Sequence, residues 1–358
     1  MSSGNAPNVT GNASNHVMMV RPAAFGMNTQ TAVDNFYQNQ NSCIDAEQAQ
    51  ELALAEFDNF VSVLESHGVC VHVLQDTLEP ITPDAIFPNN WVSLHSSGHI
   101  IYYPMKAENR RWERRADLPE ILAGWGFSVP SLSQSQSQYF QDHSHHEKET
   151  ALSASSGGGG EGGEGRYLEG TGSLIFDHDA RIVYCARSQR ASEQLVAEIA
   201  APLGYTPVVF SAFMSVEDQE QDREEWQRQS IYHTNVMMCV TDKYAVVCLQ
   251  SIDSESERTA VCEAIKSSGK DILEITEEQK HNFAGNMLLV KGKGAQGNGC
   301  DKLCLVMSAT ARAALTEENV AFITAAEHEI VSVEIPTIER LGGGSARCML
   351  CEVYLPRA

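Results

Sequence analysis

Near its end the chain reads GGGSARCMLCEV, residues 342–353, which sets Cys348 behind three glycines and an arginine and three positions ahead of Cys351. A thiol attacks carbon only as the thiolate, and a histidine from elsewhere in the chain can take its proton. His233, in YHTN, stands just ahead of an apolar run, and Glu169, in LEGTGS, stands ahead of another. A Cys–His pair suffices for nucleophilic attack on an electrophilic carbon, and a carboxylate beside it binds a polarised N–H or orients the imidazole. The glycines allow close approach of backbone to a ligand, and Arg347 brings a positive charge next to the thiol, which favours the thiolate.

Aligning FPNNW, YHTNV, FAGNM and SARCM without gaps puts Asn90, Asn235, Asn286 and Cys348 in one register. Each asparagine alone reads as an ordinary turn former. Their recurrence at one position predicts that all face a common cavity. For Cys348 and Cys351 a redox pair, half of a zinc site shared with Cys300 and Cys304, and a strand with one working thiol are the alternatives. A redox Cys-x-x-Cys normally opens a helix, whereas this run continues as an apolar strand, so Cys348 is expected to face the cavity and Cys351 the packing behind it.

The elements that must position these groups follow a cycle. Helix-period segments end near a glycine and lead into β-rich runs: DAEQAQELALAEFDNFVSVLESHG before VCVHVLQ, NRRWERRADLPEILAGWG before FSVPSL, and ASEQLVAEIAAPLG before YTPVVF. DSESERTAVCEAIKSSG before DILEIT and TARAALTEENVAFITAAEHE before IVSVEIP repeat it. After each comes a polar turn entering an apolar strand, then in most units a further short strand, which makes ββαβ modules. The last module lacks its second strand, and VMMVRP near the N-terminus is available to supply it. The reading is α/β: five modules closing head to tail into a five-bladed α/β propeller around a central active site. A doubly wound parallel sheet fits this double-strand rhythm less well.

A formal charge of −22 leaves no basic footprint for nucleic acid or anionic lipid, and no stretch is long and apolar enough for a membrane span. Ten cysteines, mostly in apolar runs, suit reduced thiols, so a cytoplasmic protein with a small-molecule partner is expected, with no nucleic acid and no membrane partner. A homo-oligomer is left open. Residues 1–15 read as a disordered tail and 16–358 as one catalytic domain, interrupted at 131–166 by a Ser/Gln/Gly-rich insertion without hydrophobic period. The histidines of that insertion are given no role, and the glycosylation sequons at Asn8 and Asn12 are read as chance.

Taken together, GGGSARCM, LEGTGS and YHTN resemble the terminal Gly-Gly-Gly…Cys-Met, Glu-Gly-Gly-Asp and His-Leu-Asp-like motifs of the pentein superfamily of guanidino-group-modifying enzymes. That superfamily includes arginine deiminase, dimethylarginine hydrolase and the amidinotransferases. The resemblance implies Cys348 as nucleophile, His233 as general acid/base and Glu169 as ligand of a substrate nitrogen, with no metal and no cofactor. It also implies arginines that hold an amino-acid carboxylate. ENRRWERR points to Arg110 or Arg111, of which Arg111 is carried forward, and ARSQRAS points to Arg190. Arg347, Asn90, Asn235 and Asn286 complete the expected substrate contacts.

The chain departs from arginine deiminases where they carry aspartates and it has Asn90 and Asn235. Removing two anions from a dry pocket disfavours a guanidinium by several kcal/mol, roughly, while a carboxamide offers both the donors and the acceptors that a neutral ureido group needs. FPNNW also resembles the branch known as citrulline-utilisation hydrolases. The expectation is therefore hydrolysis of citrulline to ornithine, ammonia and carbon dioxide: Cys348 attacks the ureido carbon, His233 protonates a leaving nitrogen, and water resolves a carbamoyl thioester. The asparagines could donate to the oxyanion. The alternatives are arginine deiminase or dimethylarginine hydrolase-like action on a guanidino group, and a non-catalytic pentein resembling the ribosome anti-association factor.

Overall fold

The computed structural model describes residues 11–38, 44–129, 166–217, 226–293 and 301–358. Nearly all of the expected insertion, and residues 1–10 of the expected tail, lie outside the described residues. Asn12 and Ser14, placed in that tail, are buried, and Asn12 Nδ2 donates to Asp177 Oδ1 at 3.0 Å and to the Thr241 carbonyl at 2.8 Å.

The chain forms a mixed α/β fold of small sheets. Three sheets share one plan, in which an antiparallel hairpin is extended by a parallel strand that returns after a helix. They are Ile175–Asp177, Ile182–Arg187 and Thr206–Ser211; Met238–Val240, Tyr244–Val247 and Asp271–Glu274; and Leu288–Lys293, Asp301–Ser308 and Glu329–Val333. A fourth is assembled from both ends of the chain. His16–Arg21 pairs antiparallel with Cys351–Glu352 and parallel with Cys70–Gln75, so the N-terminal strand completes the last module. In the remaining unit Val92–Leu94 pairs with Ile100–Tyr102, Leu94 also makes an isolated bridge to Val353, and the described part of the expected strand FSVPSL, residues 127–129, forms a single bridge between Phe127 and Arg357, while 130–132 lie outside the described residues. Among the described residues no sheet closes on itself.

The helix Ala46–Ser66 shows why these segments fold as they do. Asp45 caps it by accepting from the Gln48 N–H, and Ala49, Ala53, Phe57, Phe60 and Leu64 recur every three or four positions along its buried face. A hairpin of Phe213–Glu217 and Trp226–Ser230, which the periodicity did not predict, stands between the strand Thr206–Ser211 and His233.

The largest departure concerns the aligned register. Asn90, Asn235 and Cys348 do not begin strands; they lie in the single 3₁₀ turns Pro88–Asn90, Thr234–Val236 and Ala346–Met349, each just ahead of its strand. Each turn is closed by a backbone bond such as Met237 N to the Thr234 carbonyl at 3.1 Å, which lifts the polar side chain out of the pleat. Cys348 and Cys351 therefore part company by a turn-to-strand change. Cys351 packs with Trp91, Val92 and Leu94, and Cys348 belongs to a separate apolar cluster. Cys300 lies outside the described residues.

Behind the turns His95 is buried and bonded to Ser93 Oγ at 2.7 Å. Burial, helped by the nearby His178, pushes its pKa down to about 3. A histidine depressed in the folded state contributes stability in full above its unfolded pKa, and that stability is lost as pH falls toward the folded value. The stability difference between wild type and His95→Gln should shrink by about 2 kcal/mol between pH 6.5 and pH 5. Denaturant titrations at several pH values check this, and a constant difference would contradict it.

Candidate active site

Every chemically able side chain of the register is carried by a short turn, and each turn comes from a different module. Glu169 precedes the single helical turn Gly170–Ser173, and His233 precedes Thr234–Val236. Asn286 follows the left-handed Phe283 in the turn before Leu288–Lys293. Gly172 makes their convergence sterically feasible: a Cβ there would lie 2.5 Å from Asn90 Nδ2 and 2.8 Å from His233 Nδ1. Only glycine lets the asparagine and the imidazole meet across that backbone.

At the centre Cys348 is 5% exposed, and its Sγ receives Nδ2 of Asn235 and Nδ2 of Asn286, each at 3.3 Å. Asn286 is itself fixed, because Nδ2 also donates to the Asn235 carbonyl at 3.0 Å and Oδ1 accepts the Arg347 N–H at 3.0 Å. His233 Nε2 lies 2.8 Å from Glu169 Oε2. The other oxygen, Glu169 Oε1, accepts the Lys106 backbone N–H at 3.0 Å, and Arg190 Nη1 stands 3.4 Å from Oε2. Glu169 is wholly buried and His233 is 3% exposed. A thiol under two amide donors, with a carboxylate-bound imidazole on the adjoining turn, is equipped for covalent attack and proton transfer.

The charges around it are strongly coupled. Burial works to raise the Glu169 carboxyl, but Arg190, His233 and Arg110 outweigh it and hold the group well below the ordinary carboxylate range. Burial lowers the pKa of the His233 imidazole, against the opposing pull of Glu169. Glu113 is pushed up to about 8 by burial despite its bonds to Arg110.

The structure brings Cys348, His233, Glu169, Asn90, Asn235, Asn286 and Arg190 into one neighbourhood. Two arginines are placed otherwise. Arg111 donates to the carbonyls of Met105 at 3.0 Å and Lys106 at 3.2 Å and stacks over Tyr167. Its neighbour Arg110, buried, donates from Nη1 to Asn90 Oδ1 at 2.8 Å and pairs with Glu113 at 2.8 Å. The Arg347 guanidinium turns from the thiol to Glu352 at 2.9 Å and the Leu350 carbonyl at 2.7 Å, so only its backbone N–H serves the site. Sequence reasoning passed over Asp34, Asp84, Lys106 and Glu113. Of these, only Glu113 carried a local signal, its i,i+3 spacing from Arg110.

These features fit the guanidino-group-modifying enzymes of the pentein superfamily, and comparison with known proteins shows the family. The family model described as N,N dimethylarginine dimethylhydrolase, eukaryotic, matches residues 21–355, and the chain belongs to that family. Among curated proteins none matches. Of solved structures, the N-terminal domain of ArgZ bound to product, an arginine dihydrolase from the ornithine-ammonia cycle in cyanobacteria, is similar at TM-score 0.61 and 15% identity, over 95% of this chain and 98% of that one. Unliganded AgrE is similar at TM-score 0.63 and 14% identity, over 96% of this chain and 40% of that one. A dimethylarginine dimethylaminohydrolase variant bound to S-methyl-L-thiocitrulline follows at 0.53 and 13%, over 94% and 98%. At such identities these likenesses show the fold alone.

Proposed function

We propose that the chain is a cysteine-dependent hydrolase of the terminal guanidino carbon of an arginine-type amino acid. The observation that carries this is Cys348 held under two amide donors beside the His233–Glu169 pair. In this reading His233 takes the proton of the Cys348 thiol, the thiolate adds to the guanidino carbon, and the imidazolium delivers that proton to the leaving nitrogen, which departs as ammonia or an amine. Water, deprotonated by His233, then attacks the thiouronium carbon and expels the thiolate, leaving a ureido product. Asn235 and Asn286 hold the sulfur, and Glu169 accepts from a substrate N–H. The reading includes the five strand modules arranged as blades about this site within one catalytic domain, supported by Asn90, Glu169, His233, Asn286 and Cys348 each coming from a different module.

The family match and the arginine named for the solved neighbours support an arginine-type substrate.

A specific observation favours citrulline as a second reading. Arg110 occupies Asn90 Oδ1, so the Asn90 amide presents its donor rather than an acceptor toward Gly172 and His233. A donor suits a ureido carbonyl and not a guanidinium. Incubation with arginine, asymmetric dimethylarginine and citrulline, with assays for amine, ammonia, citrulline and ornithine, separates the two. Turnover of a guanidino substrate is expected. Turnover of citrulline alone transfers the conclusion to the ureido reading, and no turnover with an unreactive Cys348 leaves a binding protein.

A further inference from the structure

The turn that carries Cys348 is reached through Gly342, Gly343 and Gly344, which let backbone pack closely but bring no side chain of their own to hold it. A Cβ at Gly342 would lie 2.7 Å from the Phe87 ring and one at Gly344 2.8 Å from it, while Gly343 has a left-handed φ of +63°. Asn35 and Gln38 bond the Gly342 carbonyl at 3.3 and 3.1 Å, and Tyr232 bonds the Gly343 carbonyl at 2.9 Å. These ties all act upstream of the nucleophile turn.

Ser345 stands at the cap position of the turn Ala346–Met349, where a serine hydroxyl ordinarily accepts a backbone N–H of the turn. Its hydroxyl makes no such cap. The Ser345 carbonyl accepts the Cys348 N–H at 2.9 Å, and Ser345 Oγ donates instead to Glu339 Oε1 at 2.6 Å. The second carboxylate oxygen, Glu339 Oε2, accepts from Thr310 Oγ1 at 2.6 Å. Glu339 and Ser345 are both buried. Glu339 is anchored in its turn, because it lies on the helix Pro336–Gly342, whose first N–H groups at Thr337 and Ile338 donate to the Glu56 carboxylate at 2.9 and 3.0 Å.

We propose that Glu339 is a positioning residue for the nucleophile: through the Ser345 hydroxyl it holds the turn at the depth at which Cys348 Sγ meets the amides of Asn235 and Asn286. For the reaction it serves, this rests on the hydrolase reading above. The brace runs from the Glu56-capped helix through the Glu339 carboxylate and the Ser345 hydroxyl, and then through the Ser345 carbonyl to the Cys348 N–H. A hydroxyl-to-carboxylate bond is charge-assisted, which makes it stronger and more directional than the neutral cap it replaces. Without it the three glycines restore freedom to the segment ahead of Cys348, and the sulfur loses its fixed approach to the two amides. Displacement of a reacting group by about an ångström costs about 100-fold in rate, so a partial displacement costs tens of fold. Thr310 bonds the same carboxylate from the side away from Ser345, and so contributes to stability without a direct connection to the sulfur.

The test compares Ser345→Ala with Thr310→Val, each of which removes one hydroxyl from Glu339. Both should lower the melting temperature by a similar amount, about 2–4 °C. Ser345→Ala should lower kcat about 20-fold with KM kept, and should slow alkylation of Cys348 by iodoacetamide, followed on the peptide bearing Cys348, by about the same factor. Thr310→Val should keep both rates within about threefold of wild type. Glu339→Ala should lose at least as much as Ser345→Ala, and Glu339→Gln, whose amide oxygen still accepts the Ser345 hydroxyl, should recover most of that loss. If Ser345→Ala keeps the wild-type kcat and alkylation rate, or if Thr310→Val loses as much as Ser345→Ala, the assignment to Glu339 is overturned while the hydrolase reading stands. If wild type turns over neither a guanidino nor a ureido amino acid, the hydrolase reading falls, and the alkylation rates, which need no substrate, decide on Glu339 by themselves.

Discussion

Cys348→Ala should reduce turnover by at least about 10⁴-fold, because loss of a nucleophile leaves only binding and positioning to act on the substrate. Cys351→Ala, three residues on, should keep turnover within about threefold and cost about 1–2 kcal/mol of stability. The asymmetry follows from placement. Cys348 sits on a 3₁₀ turn with its sulfur under the amides of Asn235 and Asn286, and Cys351 sits in a strand, with its sulfur 3.7 Å from the Val92 carbonyl, in an apolar cluster with Trp91 and Leu94. Burial pushes the Cys351 thiol far up, so it has no thiolate to offer at neutral pH. Steady-state assays with thermal melts on both variants check the split, and equal losses of activity in two well-folded proteins would contradict it.

Gly172→Ala should lower kcat by about 100-fold, the cost expected when reacting groups are displaced by about an ångström. The added methyl would come 2.5 Å from Asn90 Nδ2 and 2.8 Å from His233 Nδ1, so both side chains must give way. His233 is held on its far side by Glu169, and Asn90 by Arg110, which leaves neither an inexpensive retreat. Nothing lies within 4 Å of the corresponding position at Gly124, so Gly124→Ala serves as a control that should leave kcat unchanged. Full activity in Gly172→Ala would remove the argument that this glycine sets the approach of imidazole and asparagine.

What the sequence reveals and conceals divides along the range of the interactions. Helix faces are local, and the spacing of Ala49, Ala53, Phe57, Phe60 and Leu64 is visible in the order of residues itself. The supply of the missing strand by His16–Arg21 was also legible, because one apolar run was left over and one module was short. The turns at Asn90, Asn235 and Cys348 were not, since three polar or small residues ahead of a strand read equally well as its first residues. Charged side chains were harder still. Arg110 and Arg111 differ by one position, and burial against Asp84 and Glu113 places only the first beside Asn90. Arg347 adjoins the thiol in sequence, yet Glu352 and the Leu350 carbonyl draw its guanidinium away. Asp34 and Arg190 stand 156 residues apart, and no periodicity joins them.

The central claim is that Cys348 forms a covalent bond to the terminal carbon of an arginine-type amino acid. Its most direct test is acid quenching during turnover, followed by intact-mass measurement and peptide mapping. An adduct of the mass of the bound amidino or carbamoyl carbon unit with its side-chain remnant, located on the peptide bearing Cys348 and absent from Cys348→Ser, is the predicted result. Turnover that continues in Cys348→Ser, or an adduct on another residue, would contradict the account.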